Sequence, residues 1–153
     1  MKITTYTDFG IRVLMYLATL PVDERTSTAA IADIYQASRN HMAKVIAQLS
    51  ALGYIASSRG KYGGIRLSKP AANINIGQLV RELEVNLTGV DCGASQCNLV
   101  TCCELKKILQ TGMNAFLLTL DQYHLSDLIN NQDLRQILLP PTSVANAADD
   151  VES

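Results

Sequence analysis

The sequence lacks the features that would place this chain in or across a membrane. Although 48% of the 153 residues are hydrophobic, no stretch approaches the roughly 20 consecutive apolar residues that a membrane helix needs. The N-terminus, which begins Met1-Lys2-Ile3, has no apolar signal region. We therefore expect a cytoplasmic protein with a packed core and no membrane partner.

The residues of common enzyme chemistry are also scarce. The chain has only two histidines, His41 and His124, and they lie far apart in the sequence. It shows no pairing of a nucleophile with a base, no glycine-rich nucleotide loop and no internal repeat. The sequence therefore predicts a protein that is not an enzyme.

The net charge is only −1, but the charges are unevenly distributed. Residues 1–70 contain nine Lys or Arg against four Asp or Glu, whereas residues 71–153 contain four against ten. Within 38–69 there are six basic residues and no acidic residue. A basic island in a nearly neutral chain is typical of a surface that contacts phosphate, although a solvated face is the alternative.

The four cysteines, at positions 92, 97, 102 and 103, lie within twelve residues. Disulfides need an oxidising compartment, and bridges so close together would constrain little of the chain. The spacing of Cys92, Cys97 and Cys103 differs from the CxxC pairs usual for structural zinc. Soft thiolates suit an iron–sulfur cluster or zinc, so both metals, and no metal at all, remain open on spacing alone.

Apolar periodicity predicts three helices in the first third of the chain. The first runs from Thr7 to about Leu20, the second is a short helix after Thr28 with Ile31 and Ile34 facing inward, and the third is capped by Ser38 and ended by Gly53. The opposite face of the third helix carries small and polar or basic residues: Arg39, Asn40, Ala43, Lys44 and Ala47.

Two strand-like runs, 54–58 and 65–67, then flank a turn with three glycines and two cations, which predicts a β-hairpin. A helix over Gln78–Glu84, an irregular cysteine loop and a long helix from about Cys103 to Tyr123 follow, with a short turn over Ser126–Asn130. The predicted fold class is mainly α with a small β-hairpin, a winged helix–turn–helix plus a long dimerisation helix. We expect a DNA-binding domain at 1–70, a linker, cysteine loop and dimerisation helix at 71–139, and a disordered tail at 140–153.

This order of elements indicates DNA binding, because the major groove admits one helix whose N-terminal residues reach base edges. Arginine can pair with guanine and asparagine with adenine, while a hairpin can lay its cations along the backbone. Packing in the core is the alternative role for His41 and for Tyr62. The candidate DNA-binding residues are Thr28, Ser38, Arg39, Asn40, His41, Lys44, Arg59, Lys61, Tyr62 and Arg66.

The chain resembles the winged-helix family of iron–sulfur repressors, and within it the nitric-oxide-sensitive branch. The resemblance covers about residues 1–139. It rests on the cysteine loop and on four segments, namely Thr7–Arg12, Ser38–Met42, Arg59–Leu67 and Val80–Glu84.

The resemblance implies a homodimer, paired through the long helix, that binds a palindromic operator in double-stranded DNA. It implies one iron–sulfur cluster per subunit, 2Fe–2S or 4Fe–4S, held by Cys92, Cys97 and Cys103, with Asp8 of the partner subunit completing the site. An ion pair with Arg12 is the alternative role for Asp8, and Cys102 is an additional thiol. Nitric oxide is then the signal that ends repression.

Two other functions remain open from the sequence. One is a regulator of iron–sulfur assembly or iron homeostasis with the same fold. A sibling regulator of that kind has a histidine three residues after its third cysteine, where this chain has Lys106. The other is a zinc-stabilised structural or interaction module.

Overall fold

The computed structural model describes residues 2–60, 63–87 and 103–138, which form a mainly helical protein with one small antiparallel hairpin, as predicted. Within these residues no helix is long and apolar enough to cross a bilayer. The predicted tail at 140–153 and most of the cysteine loop lie outside the described residues. The elements are α1 (Thr5–Thr19), α2 (Thr28–Ile34), α3 (Arg39–Ala51), β1 (Ile55–Ser58), β2 (Gly64–Leu67), a 3-10 turn (Ala71–Asn73), α4 (Ile76–Leu83), α5 (Glu104–Leu120), α6 (Leu125–Leu128) and α7 (Gln132–Leu138).

Helix α1 runs through the centre of the core. It begins two residues before the predicted start because Thr4, not Thr7, is the cap, and the Thr4 hydroxyl accepts the Thr7 amide at 3.3 Å. Thr7 is fully buried instead. A Cβ added at Gly10 would lie 2.6 Å from Leu83 Cδ1, so this glycine allows α4 to approach α1 closely.

Helices α2 and α3 form the predicted helix–turn–helix. Ser27 caps α2 through the Ala30 amide at 3.1 Å, and Ser38 caps α3 through the His41 amide at 3.4 Å, as predicted. The prediction that Ile34 faces inward was wrong, because this side chain at the end of α2 is 38% exposed. The inner face of α3 was predicted correctly, and its buried residues are Met42, Val45, Ile46 and Leu49.

The hairpin follows Gly53, which ends α3 with a φ of 78°. Its register pairs Ile55 with Leu67 and Ser58 with Gly64. Thr26, in the segment between α1 and α2, bonds Ile65 on the open side of β2, with N–O distances of 3.0 and 2.8 Å. The hairpin is therefore anchored to the segment that follows α1.

A network of polar contacts joins both ends of α4 to the segment that follows α5. Asn75 caps α4 through the Gln78 amide at 2.9 Å and donates to the Asp121 carbonyl at 2.7 Å. Arg81 forms a two-point ion pair with the Asp121 carboxylate, with an Nη2–Oδ2 distance of 2.8 Å. This pair raises the pKa of Arg81 and lowers that of Asp121. Helix α4 begins at Ile76, two residues before the predicted start, because Asn75 is its cap.

The long helix α5 buries only part of its apolar stripe. Met113 and Leu117 are buried, whereas Leu105, Ile108 and Leu118 are each more than half exposed. Beyond α5 the sequence predicts only a short turn and a polar end, but the structure has α6 and α7. Leu125 of α6 and Leu138 of α7 pack into the core, and this packing stabilises the two helices.

Candidate functional site

One face of α3 combines exposure with positive charge. Arg39, Asn40 and Lys44 are all exposed, as are the two alanines between and beyond them, Ala43 and Ala47. The small residues leave the helix backbone open to close approach, and the opposite face is fixed in the core. This face has the shape and charge that a helix needs to enter the major groove.

His41 shares the first turn of α3 but points away from that face. Its ring meets Phe9 edge-on, with centroids 5.4 Å apart, and Tyr6 at 6.0 Å. Its Nε2 atom is buried and has no hydrogen-bond partner among the described residues. The Tyr6 hydroxyl donates to the Lys44 carbonyl at 3.1 Å, so α1 contacts α3 at two neighbouring points. These contacts favour the packing role for His41 over a DNA contact.

The β1–β2 hairpin, which we call the wing, presents Arg59 to solvent immediately after β1. Gly63 closes the turn, with its amide donating to the Gly60 carbonyl at 2.8 Å. A Cβ at Gly63 would lie 2.9 Å from that same carbonyl oxygen, so only glycine fits there. Lys61 and Tyr62, the other residues predicted at this tip, lie outside the described residues.

The remaining DNA candidates lie away from the tip. Arg66 is half-buried on β2, where its Nη1 donates to the Leu67 carbonyl at 3.1 Å and its Nε is buried without a partner among the described residues. Thr28 is the first residue of α2 and is partly exposed. Of the predicted DNA-binding cations that the structure describes, Arg39 and Lys44 are exposed on α3, and Arg59 is exposed directly after β1.

Of the four predicted cluster ligands, the structure describes two. Cys103 is a free, half-buried cysteine directly before α5, and its side chain makes no capping bond to that helix. Asp8 lies in the first turn of α1, with its side chain 46% exposed. Cys92 and Cys97 lie outside the described residues, and the described residues alone contain no group of three potential metal ligands.

Asp8 is held by its neighbour one helical turn away. Its carboxylate accepts from Arg12 Nε at 3.0 Å, which is the ion pair predicted as its alternative role. The Arg12 carbonyl in turn accepts from the Tyr35 hydroxyl at 2.8 Å, joining α1 to the end of α2. Burial raises the pKa of Tyr35 to about 12.

Three further residues, which the sequence did not predict, make contacts between the elements that position these surfaces. Asp33 contacts Arg39 from the end of α2, with an Nη2–Oδ1 distance of 3.5 Å. Glu82 on α4 accepts from the buried Tyr54 at the start of the hairpin. Glu84 accepts from both the amide and the hydroxyl of Thr4. The isolated position of Asp33 in a basic region was a usable signal, whereas the two glutamates act over separations of 28 and 80 residues.

Comparisons with solved structures agree with this architecture. The chain is similar to CymR (YrzC), the global cysteine regulator of B. subtilis, at 25% identity and a TM-score of 0.67, over 84% of this chain and 96% of that one. The oxidised form of Staphylococcus aureus CymR matches at 27% identity and a TM-score of 0.67, over 86% and 98% of the two chains. T. potens IscR shares the fold at 23% identity and a TM-score of 0.68, over 84% and 86%.

The family model that matches spans residues 3–131, from just before α1 to just after α6. That range includes the helix–turn–helix, the wing, the cysteine loop and the long helix α5. On this match, the chain belongs to the Rrf2 family of iron-dependent transcriptional regulators.

Proposed function

We propose that this chain is a nitric-oxide-sensitive repressor of the NsrR type, acting in the cytoplasm as a homodimer on palindromic operator DNA. The observation that carries the DNA-binding part is the exposed face of α3, where Arg39, Asn40 and Lys44 surround two small residues. Membership of a family of transcriptional regulators supports the same role.

The proposed reading of DNA assigns each exposed side chain a task. Arg39 and Asn40, in the first turn of α3, reach base edges, because the N-terminal part of a recognition helix lies deepest in the groove. Lys44, one turn later, and Arg59 on the wing contact phosphate. In a dimer, two such helices read half-sites about 34 Å apart, which is one turn of B-DNA.

We further propose that one iron–sulfur cluster per subunit, 2Fe–2S or 4Fe–4S, is held by Cys92, Cys97 and Cys103 and by Asp8 of the partner subunit. Three thiolates and a carboxylate are a donor set that fits such a cluster. The free thiol of Cys103 and the solvent-facing carboxylate of Asp8 are compatible with this role. When bound, the cluster supplies iron that nitric oxide attacks.

The residues of α1 connect this site to the recognition helix. Asp8 lies between Tyr6 and Phe9 in the same first turns, and both aromatic residues contact α3, through Lys44 and His41 respectively. If Asp8 is drawn toward a partner subunit, its ion pair with Arg12 is rearranged and the first turns of α1 shift. The contacts of Tyr6 and Phe9 then carry α3 with them, which alters the spacing of the two recognition helices.

The dimer is proposed to form through α5. Its apolar side chains Leu105, Ile108 and Leu118 are 59%, 66% and 62% exposed in the single chain. Exposed apolar residues gathered along one helix mark a protein–protein contact. Pairing through α5, which begins next to Cys103, would hold each cluster site close to the dimer contact.

A regulator of iron–sulfur assembly or iron homeostasis is the second candidate, favoured by the shared fold with IscR. The sibling regulator's histidine is replaced here by Lys106, which is exposed on α5 and is a poor ligand. This replacement favours the nitric-oxide branch. A zinc-stabilised module is the third candidate, and it predicts colourless protein with stoichiometric zinc.

The deciding experiment is a DNA titration of anaerobically purified full-length protein before and after a stoichiometric addition of nitric oxide. The duplex used is one selected from a randomised library by the untreated protein. We expect brown protein with iron and sulfide, and a large loss of affinity after nitric oxide. Equal affinity in both states would exclude the sensing function and leave a transcription factor of another input.

The adjacent cysteines offer a matched control for this titration. Cys103→Ser should lose iron and the response to nitric oxide, whereas Cys102→Ser should keep both. Loss of iron in the second variant alone would move the third ligand to position 102.

A further inference from the structure

The ion pair between Asp33 on α2 and Arg39 on α3 is unusual because of where the carboxylate lies. Between Glu24 and Glu82 the chain has eight Lys or Arg residues and a single acidic residue, Asp33. A lone carboxylate on the DNA-facing side repels phosphate and lowers the affinity for any duplex. That one carboxylate nevertheless lies next to the arginine that opens the recognition helix.

This ion pair contributes little to folding stability. The side chains of Arg39 and Asp33 are 69% and 67% exposed, and their closest N–O distance is 3.5 Å. Exposed pairs of this kind contribute little to the free energy of unfolding, and salt screens them. The pair therefore has no structural task large enough to explain a carboxylate in a basic surface.

The backbone around Asp33 is hydrogen-bonded on both sides of the turn that follows α2. The Asp33 carbonyl accepts the Gln36 amide at 3.3 Å, and the Ala37 amide bonds the Ala32 carbonyl at 2.9 Å. The following Tyr35 fixes this end of α2 to α1 through its hydroxyl. The Asp33 carboxylate therefore lies on a hydrogen-bonded segment of backbone, one short turn before Arg39.

Within the described part of the chain, most N–H groups of the Arg39 guanidinium are free to bind DNA. Asp33 takes one hydrogen of Nη2, while Nε and Nη1 have no protein acceptor among the residues that the structure describes. An arginine that reads guanine needs two parallel donors, to O6 and N7. A guanidinium that contacts a carboxylate at one nitrogen is biased toward orientations that leave its other N–H groups free, so less rotamer entropy is lost on binding.

We propose that Asp33 is a specificity-determining positioning residue, which orients the Arg39 guanidinium for bidentate recognition of guanine in each half-site. The Asp33 carboxylate would lower the affinity for all duplexes and increase the discrimination between bases. The inference rests on the proposed placement of Arg39 in the major groove, and it adds a residue from outside the recognition helix to the reading of DNA.

The test is a base-preference profile of the full-length dimer. The probes are a duplex selected from a randomised library by wild-type protein and the set of its single-base-pair substitutions. At the guanine whose replacement weakens binding by wild-type protein but not by Arg39→Ala, we expect Asp33→Asn to reduce the preference by about threefold, within the limit of about fivefold for an exposed ion pair. The variant should bind the substituted duplexes as tightly as wild type or more tightly, and its melting temperature should be unchanged. Asp33→Glu should restore part of the preference.

Asp23→Asn is the matched control. It makes the same change of charge in the exposed turn after α1, at a φ of 68° that asparagine tolerates, and it should leave the profile intact. If Asp33→Asn raises affinity for all duplexes by the same factor as Asp23→Asn, Asp33 is only a charge and the inference fails. If Arg39→Ala leaves the profile unchanged, the inference fails together with the proposed reading role of Arg39.

Discussion

The hydroxyl of Tyr54 donates a 2.5 Å hydrogen bond to Glu82 Oε2, which joins the start of the wing to α4. Tyr54 is almost fully buried, and Lys69 lies 4.3 Å above its ring. Burial, and then the hydrogen bond to Glu82, raise the pKa of Tyr54 well above 10. This contact links the hairpin to the helix that precedes the cysteine loop.

The raised pKa of Tyr54 predicts a loss of stability in strong alkali. The unfolded phenol ionises near pH 10, whereas the folded phenol stays neutral, so its contribution is complete below pH 10 and is lost as pH rises further. Urea unfolding at pH 9 and pH 11 should show a smaller pH dependence for Tyr54→Phe than for wild type. Equal dependence in both proteins would assign the effect to other groups, such as Tyr35.

A side chain at position 77 should lower the free energy of unfolding. A Cβ there would lie 2.8 Å from the Asp121 amide nitrogen, in the contact that joins α4 to the segment after α5. We expect Gly77→Ala to cost about 2 kcal/mol of unfolding free energy, as overpacking does. Gly10→Ala is the control, because the atom it meets is the rotatable Leu83 Cδ1, and it should cost clearly less. Equal costs would show that the contact with Asp121 yields as easily as a side chain.

The loss of Arg39 and the loss of Lys44 should weaken DNA binding in different ways. Arg39→Ala should weaken binding to the selected duplex by about 1–3 kcal/mol and reduce base discrimination. Lys44→Ala should weaken binding to all duplexes alike and reduce the slope of log K against log salt by about one. Titrations at several salt concentrations separate the two. An identical salt slope for Lys44→Ala and wild type would exclude a phosphate contact by Lys44.

Asp8 and Arg12 can be separated although they form an ion pair. If Asp8 completes the cluster site, Asp8→Asn should retain less iron and lose its visible absorbance faster than wild type, whereas Arg12→Gln should be close to wild type. If Asp8 serves only the ion pair, both variants should behave alike. Anaerobic absorption spectra and iron counts on the two proteins distinguish these cases.

The exposed stripe of α5 predicts a dimer that a single charge disrupts. Ile108→Glu should give a species near 16.6 kDa in sedimentation and should weaken operator binding. Ile137→Glu, at an isoleucine on α7 that is 76% exposed, is the matched control and should leave the assembly unchanged. A stable dimer of Ile108→Glu would place the subunit contact elsewhere.

Features set by neighbouring residues could be predicted from the sequence. The cap at Ser38, the end of α3 at Gly53 and the glycines of the hairpin each depend on residues within one or two turns, and all three agree with the structure. The buried face of α3 also follows from its period. These elements carry the proposed DNA-binding surface, so its local framework was predictable.

Features that depend on distant contacts could not be predicted. The cap at Asn75 is reinforced by Asp121, 46 residues away, and the start of α1 is stabilised by Glu84, 80 residues away. Helix α7 has little periodicity of its own and is held by packing against α1. The orientation of Ile34 likewise depends on which side of α2 faces the core, which two turns of helix leave undetermined.

Helix α1 supports the two proposed DNA-binding elements, α3 and the hairpin, at opposite ends. The recognition helix packs on its first turns through Tyr6 and Phe9, and the wing is tied by Thr26 to the segment after its last turn. Fifteen residues make α1 about 22 Å long. A tilt of about 5° about its midpoint moves its ends by about 1 Å in opposite directions. A small rotation of α1 therefore changes the distance between α3 and the hairpin without unfolding either element.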